Sequence, residues 1–504
     1  MALHDETLIG DQPKSYKWTV LLITTIGSFM TPLDGSIVSI AIPSIASELR
    51  IDFATAVWIP TIYLLSIAML LLSFGRLSDI KGRKSLFISG FAVFTVASAL
   101  CGTSQTGVQL LLFRALQGAG GALMGVNAPA IVTDIFPSNE RGKALGINAM
   151  AVYIGLSVGP SLGGFFVQSF GWRSIFYVNV PIGVAVILLS LMKLRESTRH
   201  PGHNRFDLLG ATAFSVGLAA LLLALTLGED YGWGSLPIVS LFSVSGISLA
   251  SFIAVERKMG EDAMLDTSLL FHNRLFAAAN ASTLLNYISL YAVTFFMSLY
   301  LQRVLDYPPV YAGMTLLSMP LTMAILSPIS GWLSDRFGSR LLASLGMGII
   351  CVGLLFSTTL DLQSSSADVL IRLFVIGFGM GLFASPNTSA VMGSVEKERL
   401  GVASGTLATM RFVGQSTSLA LMGAVISTVV PPEVLSLLLS GIGNAGTSST
   451  GAAFVDGIHR AFLLSAAISA LGLITSLVRG DGKGTTKEQR STAHALQKGP
   501  DVAP

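Results

Sequence analysis

The sequence predicts an all-α integral membrane protein, with two six-helix halves and two further helices inserted between them. Three observations predict it. Of 504 residues, 52% are hydrophobic and only 12% charged, about half the charged share of a soluble domain. Fourteen runs reach the ~20 apolar residues a helix needs to cross the hydrocarbon. One loop sequence occurs twice, at corresponding places in two groups of six runs.

Taken in order, residues 1–17 are mixed in charge and read as a cytoplasmic tail. The apolar run after them is too long for a signal peptide. Spans are expected at roughly 18–40, 54–75, 85–104, 107–133, 142–168 and 174–193, forming a first half over 18–193. Two more, at about 206–228 and 236–256, form an insert over 206–256. Six others, near 275–302, 309–332, 340–359, 368–392, 399–427 and 459–479, form a second half over 275–479. The outer loop near 428–458 contains the flexible "GIGNAGTSSTG" after a "VLSLLL" suited to the membrane surface. Residues 480–504 are polar and Gly/Lys-rich and read as a disordered cytoplasmic tail.

Charge tests the span count independently. With the N-terminus inside, 24 of the 31 Lys and Arg fall in inner segments, and only Arg50, Arg173, Arg303 and Arg460 in outer loops. The positive-inside rule demands such a bias, and a missed span would scramble it. The reading is a multi-pass protein of the cytoplasmic membrane, with both termini cytoplasmic.

Other classes lose ground on the same residues. Cys101 and Cys351 sit in separate apolar runs, which suggests neither a disulfide framework nor a zinc site. The six histidines fall in loops, tails or helix ends, with no metal-binding pair at helical spacing. No nucleophile–base pair or nucleotide loop supports an enzyme, and no cofactor, metal or nucleic-acid partner is expected. Membrane lipids are expected partners on composition alone, and the expected state is monomeric.

The repeated loop is "GRLSDIKGRK" at 75–84 and "GWLSDRFGSR" at 331–340. Gly75, Leu77, Ser78, Asp79 and Gly82 are matched by Gly331, Leu333, Ser334, Asp335 and Gly338, while Ser339 stands where the first copy has Arg83. Each copy joins the second and third span of its group, so the halves are parallel repeats, an arrangement of secondary transporters. In the first copy, Asp79, Arg83 and Asp134 form an acid–base–acid set at helix ends, and Gly75 and Gly82 permit close approach and a tight turn. The set suits a conformational latch; the plainer alternative is a group of solvated loop charges. In the fifth span Gly155, Gly159 and Gly163 recur at spacing four beside Pro160 and Gly164, making a groove for a neighbouring helix.

Five segments, in this order and topology, carry a resemblance over nearly the whole chain. "LDGSIVSIAIP" (33–43), "GRLSDIKGRK" (75–84), "LLLFRALQGAGGA" (110–122), "GLSVGPSLGG" (155–164) and "GWRSIFYVNVPIG" (171–183) resemble signatures of the major facilitator superfamily, and within it of the fourteen-helix drug:proton antiporters. The resemblance implies the major facilitator fold, a proton-coupled exporter of drugs, a cytoplasmic latch in the loop and a gating role for the glycines of helix 5.

Asp34 is the chemically telling residue, because an acid at mid-membrane costs ~2.5–3.5 kcal/mol. Thr24, Gly27 and Thr31 share its helical face, a small polar stripe suited to an interior cavity. At 1.5 Å per residue, Asp34 lies roughly 24 Å from Trp18 and Arg114 roughly 10 Å from the opposite end of helix 4. In a ~30 Å hydrocarbon layer these are one level. Asp34 and Arg114 are therefore expected to couple proton and substrate, or else to form a structural ion pair. Arg411, the other deep charge, suits either an anionic group or helix-to-helix bonding, while Arg372 can snorkel from a helix end. Phe29, Met30, Trp58, Tyr63, Tyr153, Tyr287, Tyr291, Phe295 and Met319 are the candidate cavity wall, adaptable side chains fit for flat lipophilic ligands. The expected activity is export of lipophilic, preferably cationic, drugs; the alternative is export of an endogenous siderophore, lipid or peptide on the same fold.

Overall fold

The computed structural model describes residues 14–195, 207–259, 267–395, 400–440 and 449–479. The tails expected at 1–17 and 480–504 fall outside these residues, except that a helix has already begun at Lys14.

Helices occupy all fourteen expected places. The first half holds α1 (Lys14–Leu49), α2 (Phe53–Lys81), α3 (Arg83–Thr103), α4 (Gly107–Ile135) and α5 (Ser138–Phe170). Its last helix, α6, runs as Ser174–Tyr177 and then Asn179–Lys193. The insert is α7 (Leu208–Tyr231) and α8 (Leu236–Met259). The second half begins with α9 (Arg274–Leu299), which passes into a π-helical turn over Tyr300–Val304. Then come α10 (Pro309–Leu316 and Ser318–Phe337), α11 (Ser339–Ser357), α12 (Ser366–Gly393), α13 (Leu400–Ser427) and α14 (Ser449–Val478). Among the described residues twelve helices are long and apolar enough to cross a membrane, and α13 adds a thirteenth when its bent continuation, Pro432–Leu439, is joined to it. The helix left out is α4, which carries Arg114, Gln117 and Asn127 in its buried face.

Local chemistry explains where the helices stop. Asp52, Thr106, Asp207 and Asn273 each accept a backbone N–H of the first turn of α2, α4, α7 and α9, and Ser365 with Asp368 forms a capping box on α12. The repeated loop turns on Gly82 (φ 103°) and Gly338 (φ 86°), a backbone region closed to most side chains. The "VLSLLL" stretch forms a helix, Pro432–Ser440, whose Leu435, Leu438 and Leu439 are buried.

The "terminal side" denotes the end of the bundle where α1 begins and α14 ends, and the "far side" its opposite. Each half packs α3 on α4, or α11 on α12, through facing glycines. A Cβ on Gly90 would stand 3.1 Å from the Gly120 carbonyl oxygen, and one on Gly346 would stand 2.6 Å from that of Gly379. The insert leans on one helix of each half, α2 and α13. Its α8 is only 17% buried over its apolar stretch and presents Leu236 and Ile247 outward, a surface for lipid.

The halves meet on the far side. Pro43 has no N–H, so the Ser39 carbonyl of α1 lacks its helical donor. Ser298 of α9 donates to that carbonyl at 3.0 Å, Gln302 donates to the Ile40 carbonyl at 3.1 Å, and Arg303 donates to the Pro43 carbonyl at 2.9 Å. The π-helical turn brings Gln302 and Arg303 together onto this strip, a use for which such turns recur at working positions. Gly164 of α5 also packs directly on the backbone of Pro309, and Gly313 on that of Pro160.

Candidate functional site

Asp34 and Arg114 meet, as their depths require. Nη1 of Arg114 forms an ion pair with Oδ2 of Asp34, and both side chains are fully buried. Oδ1 of Asp34 accepts a hydrogen bond from the Gln117 amide at 2.8 Å and another from the Asn179 amide at 2.8 Å. Gln117 also donates to Ser98 at 2.7 Å and accepts from Arg114 at 2.6 Å. Five side chains from α1, α3, α4 and α6 thus form one closed polar network.

The rest of the guanidinium is held by softer contacts. Its carbon lies 4.1 Å from the Tyr63 ring centroid and 5.8 Å from that of Phe176, positions of cation–π attraction. Nε reaches the Ile59 carbonyl at 3.4 Å, while Nη2 is buried with no acceptor, a cost of about 1–3 kcal/mol. Two charges taken out of water are tolerable only when paired and fully hydrogen-bonded. Gln117 and Asn179 supply that condition for the carboxylate.

The polar stripe of α1 does not face a cavity, as its pattern led one to expect. Gly27 lets the rings of Phe87 and Phe91 on α3 close to within 3.2 Å of where a Cβ would stand. Asp34 is sealed within its own half. The cavity lies on the opposite face of α1, where Ser36 and Ser39 line it. Its other wall residues include Leu156 and Pro160 of α5, Tyr287, Tyr291 and Thr294 of α9, Met319 and Met323 of α10, Met380 of α12 and Gln415 of α13. The space, its open mouth included, is about 730 Å³. Gly35 stands between the two sites in the chain, and the Tyr291 hydroxyl of the cavity wall points at its carbonyl oxygen from 3.5 Å.

Residues 24–419 match the family model described as Major Facilitator Superfamily. The chain belongs to this superfamily. It is a multi-pass membrane transporter, not an enzyme. Among its relatives is the riboflavin transporter RibZ of Clostridioides difficile, 31% identical over 92% of this chain and 97% of that protein. Multidrug resistance protein Stp of Mycobacterium tuberculosis is 33% identical over 81% of this chain and 75% of that one. The fold is also that of a bacterial homolog of the human lysosomal transporter Spinster, with a TM-score of 0.68, 16% identity, and coverage of 93% of this chain and 98% of the other.

In this member of the superfamily, three of the nine expected cavity residues, Tyr287, Tyr291 and Met319, line the cavity. Met30, Tyr63 and Phe295 are instead fully buried in helix packing, and Phe29 and Trp58 pack against that core half-buried. Tyr63 is drawn away by the Arg114 guanidinium and by the Thr31 carbonyl, to which its hydroxyl donates at 3.0 Å. Phe295 stands edge-on to Phe296 at 5.0 Å. The side chain of Tyr153 lies outside the described residues.

The loop charges divide similarly. Arg83 donates to the Ala130 carbonyl at 2.9 Å and pairs with Asp134, both within the first half. The Asp79 side chain lies outside the described residues. Gly75 is not sterically demanded, since a Cβ there would meet Val126 at an ordinary 3.6 Å. In the second half no arginine stands at the matching place. Instead Arg479, from the end of α14, bonds the Ser339 carbonyl and reaches Asn387 at 3.0 Å. Burial pushes its guanidinium down to about 10, and the neighbouring Arg340 charge adds to the effect.

The glycines of α5 make the expected groove. A Cβ on Gly155 would stand 2.5 Å from the Phe29 carbonyl and one on Gly163 2.7 Å from Ile40, while Gly159 admits Ser36. Sequence reasoning missed Asn179, Ser98, Ser36 and Ser39. Asn179, Ser36 and Ser39 lie inside stretches already singled out, but an amide or hydroxyl gives no sign on its own of which carboxylate it serves. Two more acids, Asp207 and Glu256, are buried beside Gly210 at the terminal-side ends of α7 and α8.

Proposed function

We propose that this transporter exports lipophilic compounds in exchange for protons, with Asp34 as the proton site and the terminal side in the cytoplasm. The sealed Asp34–Arg114 network, one residue away from the cavity, carries this reading. With Asp34 ionised, Arg114, Gln117 and Asn179 all hold the carboxylate and thereby tie α1 to α4 and α6. A proton on the carboxylate cancels the charge that Arg114 answers and converts one acceptor oxygen into a donor. The two protonation states therefore favour different packings of α1, and a difference in packing free energy is what couples one site to another. Gly35 and Tyr291 are the contact through which cavity and carboxylate sense each other. The Arg83–Asp134 pair and the Gly155–Gly163 groove would hold the packing of the first half through this exchange.

Substrate charge is a separate matter. The wall residues supply hydroxyls, amides and thioethers, and among the described residues no carboxylate lines the cavity. The preference for cations expected from Asp34 therefore loses its support in the wall, and export of an endogenous siderophore, lipid or peptide remains the second reading. The test is dye flux in proteoliposomes under an imposed pH gradient, together with efflux from cells with and without an uncoupler. Flux that ignores the gradient and the uncoupler overturns the proton-coupled reading.

A further inference from the structure

A positive charge stands next to the cavity wall. Arg411 stands on α13 one turn before Gln415, which lines the cavity, and about 17 Å along the helix from Leu400. Its guanidinium lies beside the hydroxyl of Tyr287, itself a wall residue, and its carbon is 4.8 Å from the Phe412 ring centroid. The register is fixed, because a Cβ on Gly414 would stand 2.8 Å from the Tyr287 Cβ.

Three other arginines within the described helices each have acceptors, though not for every nitrogen. Arg114 has Asp34; Arg372 has the carbonyls of Phe356 and Asp368 and the Thr359 hydroxyl; Arg303 has two carbonyls. No carboxylate pairs with Arg411 among the described residues, and its side chain is only half-buried. A charged group at membrane depth is costly and by default marks a pathway or a ligand. A guanidinium with a phenol beside it presents several N–H donors and one O–H donor to the same oxygen-bearing ligand.

We propose that Arg411 and Tyr287 form a subsite for the anionic oxygen, carboxylate or phenolate, of a planar aromatic acid. Its ring system lies against Tyr291 and Met319, and Gln415 takes a further polar substituent. This rests on the reading of the cavity as the transport site and reverses the charge that Asp34 alone suggested.

Two tricyclic dyes of similar size test it: resorufin, an anion at mildly alkaline pH, and pyronin Y, a cation. Binding to the detergent-purified full chain is read by fluorescence anisotropy with no gradient present. Resorufin is expected to bind at least about tenfold tighter than pyronin Y, and Arg411→Gln to weaken resorufin by about tenfold or more, the scale of a hydrogen bond to a charged group. Pyronin Y should change less than about twofold, Arg411→Lys should keep part of the preference, and Tyr287→Phe should weaken resorufin by about threefold, a fraction of one neutral hydrogen bond. Arg411→Lys and Tyr287→Phe decide the matter should Arg411→Gln fail to fold. Equal or reversed affinities, unchanged resorufin binding in the variants, or no resorufin binding by the wild type overturns the proposal. Failure of the exporter reading would look different: binding intact, but no flux driven by a pH gradient.

Discussion

The two halves share a frame and differ in what fills it. Gly118 of α4 packs on the carbonyl of Tyr63 in α2, and Gly377 of α12 packs on that of Met319 in α10. Counting back from these matched glycines, Arg114 and Gln117 correspond to Leu373 and Ile376, both fully buried. Where the first half carries the carboxylate network, the second carries hydrocarbon. The second half instead supplies most of the cavity wall, from Tyr287 to Gln415. Duplication explains the common frame; the divergence separates an ion site from a ligand site, so each can be altered with the other left in place.

The largest expected effect comes from removing the difference at its centre. Asp34→Asn keeps the side-chain volume but not the charge, and proton-driven flux in proteoliposomes should fall to background. Retention of gradient-driven flux would leave the proton site to be sought elsewhere. The same change strands a buried guanidinium, so it should also destabilise the fold by about 3–5 kcal/mol. Adding Arg114→Leu, which copies Leu373 of the other half, should restore much of that stability, since a buried pair replaced by hydrocarbon is often neutral. Thermal unfolding in detergent reads both; a double variant no more stable than the single one would show that the two frames are not equivalent.

Next in size is Asn179→Ala, which removes one of the two amide donors to Oδ1 of Asp34. It should cost about 1.5–3 kcal/mol, the range for a hydrogen bond to a charged group, and slow gradient-driven flux. Ile376→Val, at the position corresponding to Gln117, should cost about 0.5–1.5 kcal/mol and leave gradient dependence as it was. Gly118→Ala and Gly377→Ala probe the shared frame. Each pushes a methyl into a facing carbonyl, and the two should lower stability alike, by about 1–3 kcal/mol. The smallest effect belongs to Arg83→Ala. Its pair with Asp134 is partly exposed, so stability should move by about 0–1 kcal/mol, while turnover slows if the pair serves as a latch.

Much of this was legible in the sequence for physical reasons. Most of the helical places, twelve or thirteen, follow from apolar run length, and the loop repeat follows from glycines that must adopt positive φ. The meeting of Asp34 with Arg114 follows from depth, because two opposite charges in hydrocarbon at one level have few other partners. What stayed hidden was direction. The stripe Thr24–Gly27–Thr31–Asp34 is polar in the same way whether it faces water or other side chains, and only the rings of Phe87 and Phe91 on another helix decide between them. Tyr63 and Tyr291 look alike in the sequence too, yet one packs on a guanidinium and the other faces open space. The role of Arg479 was equally unreadable, since the gap it fills opens at Ser339, far away along the chain.

The far-side strip, where Ser298, Gln302 and Arg303 donate to α1, has a consequence for inheritance. All three of its acceptors are backbone carbonyls, and the one at Ser39 is set free by Pro43. Substitutions at Ser39 or Ile40 leave these acceptors where they are, so the donor and acceptor positions need not change in concert across relatives. At this strip, a first half borrowed from another member would need only its proline at the same turn, while the Gly164–Pro309 and Gly313–Pro160 contacts would still have to match. Pairwise covariation between side chains would therefore pass over this strip of the joint.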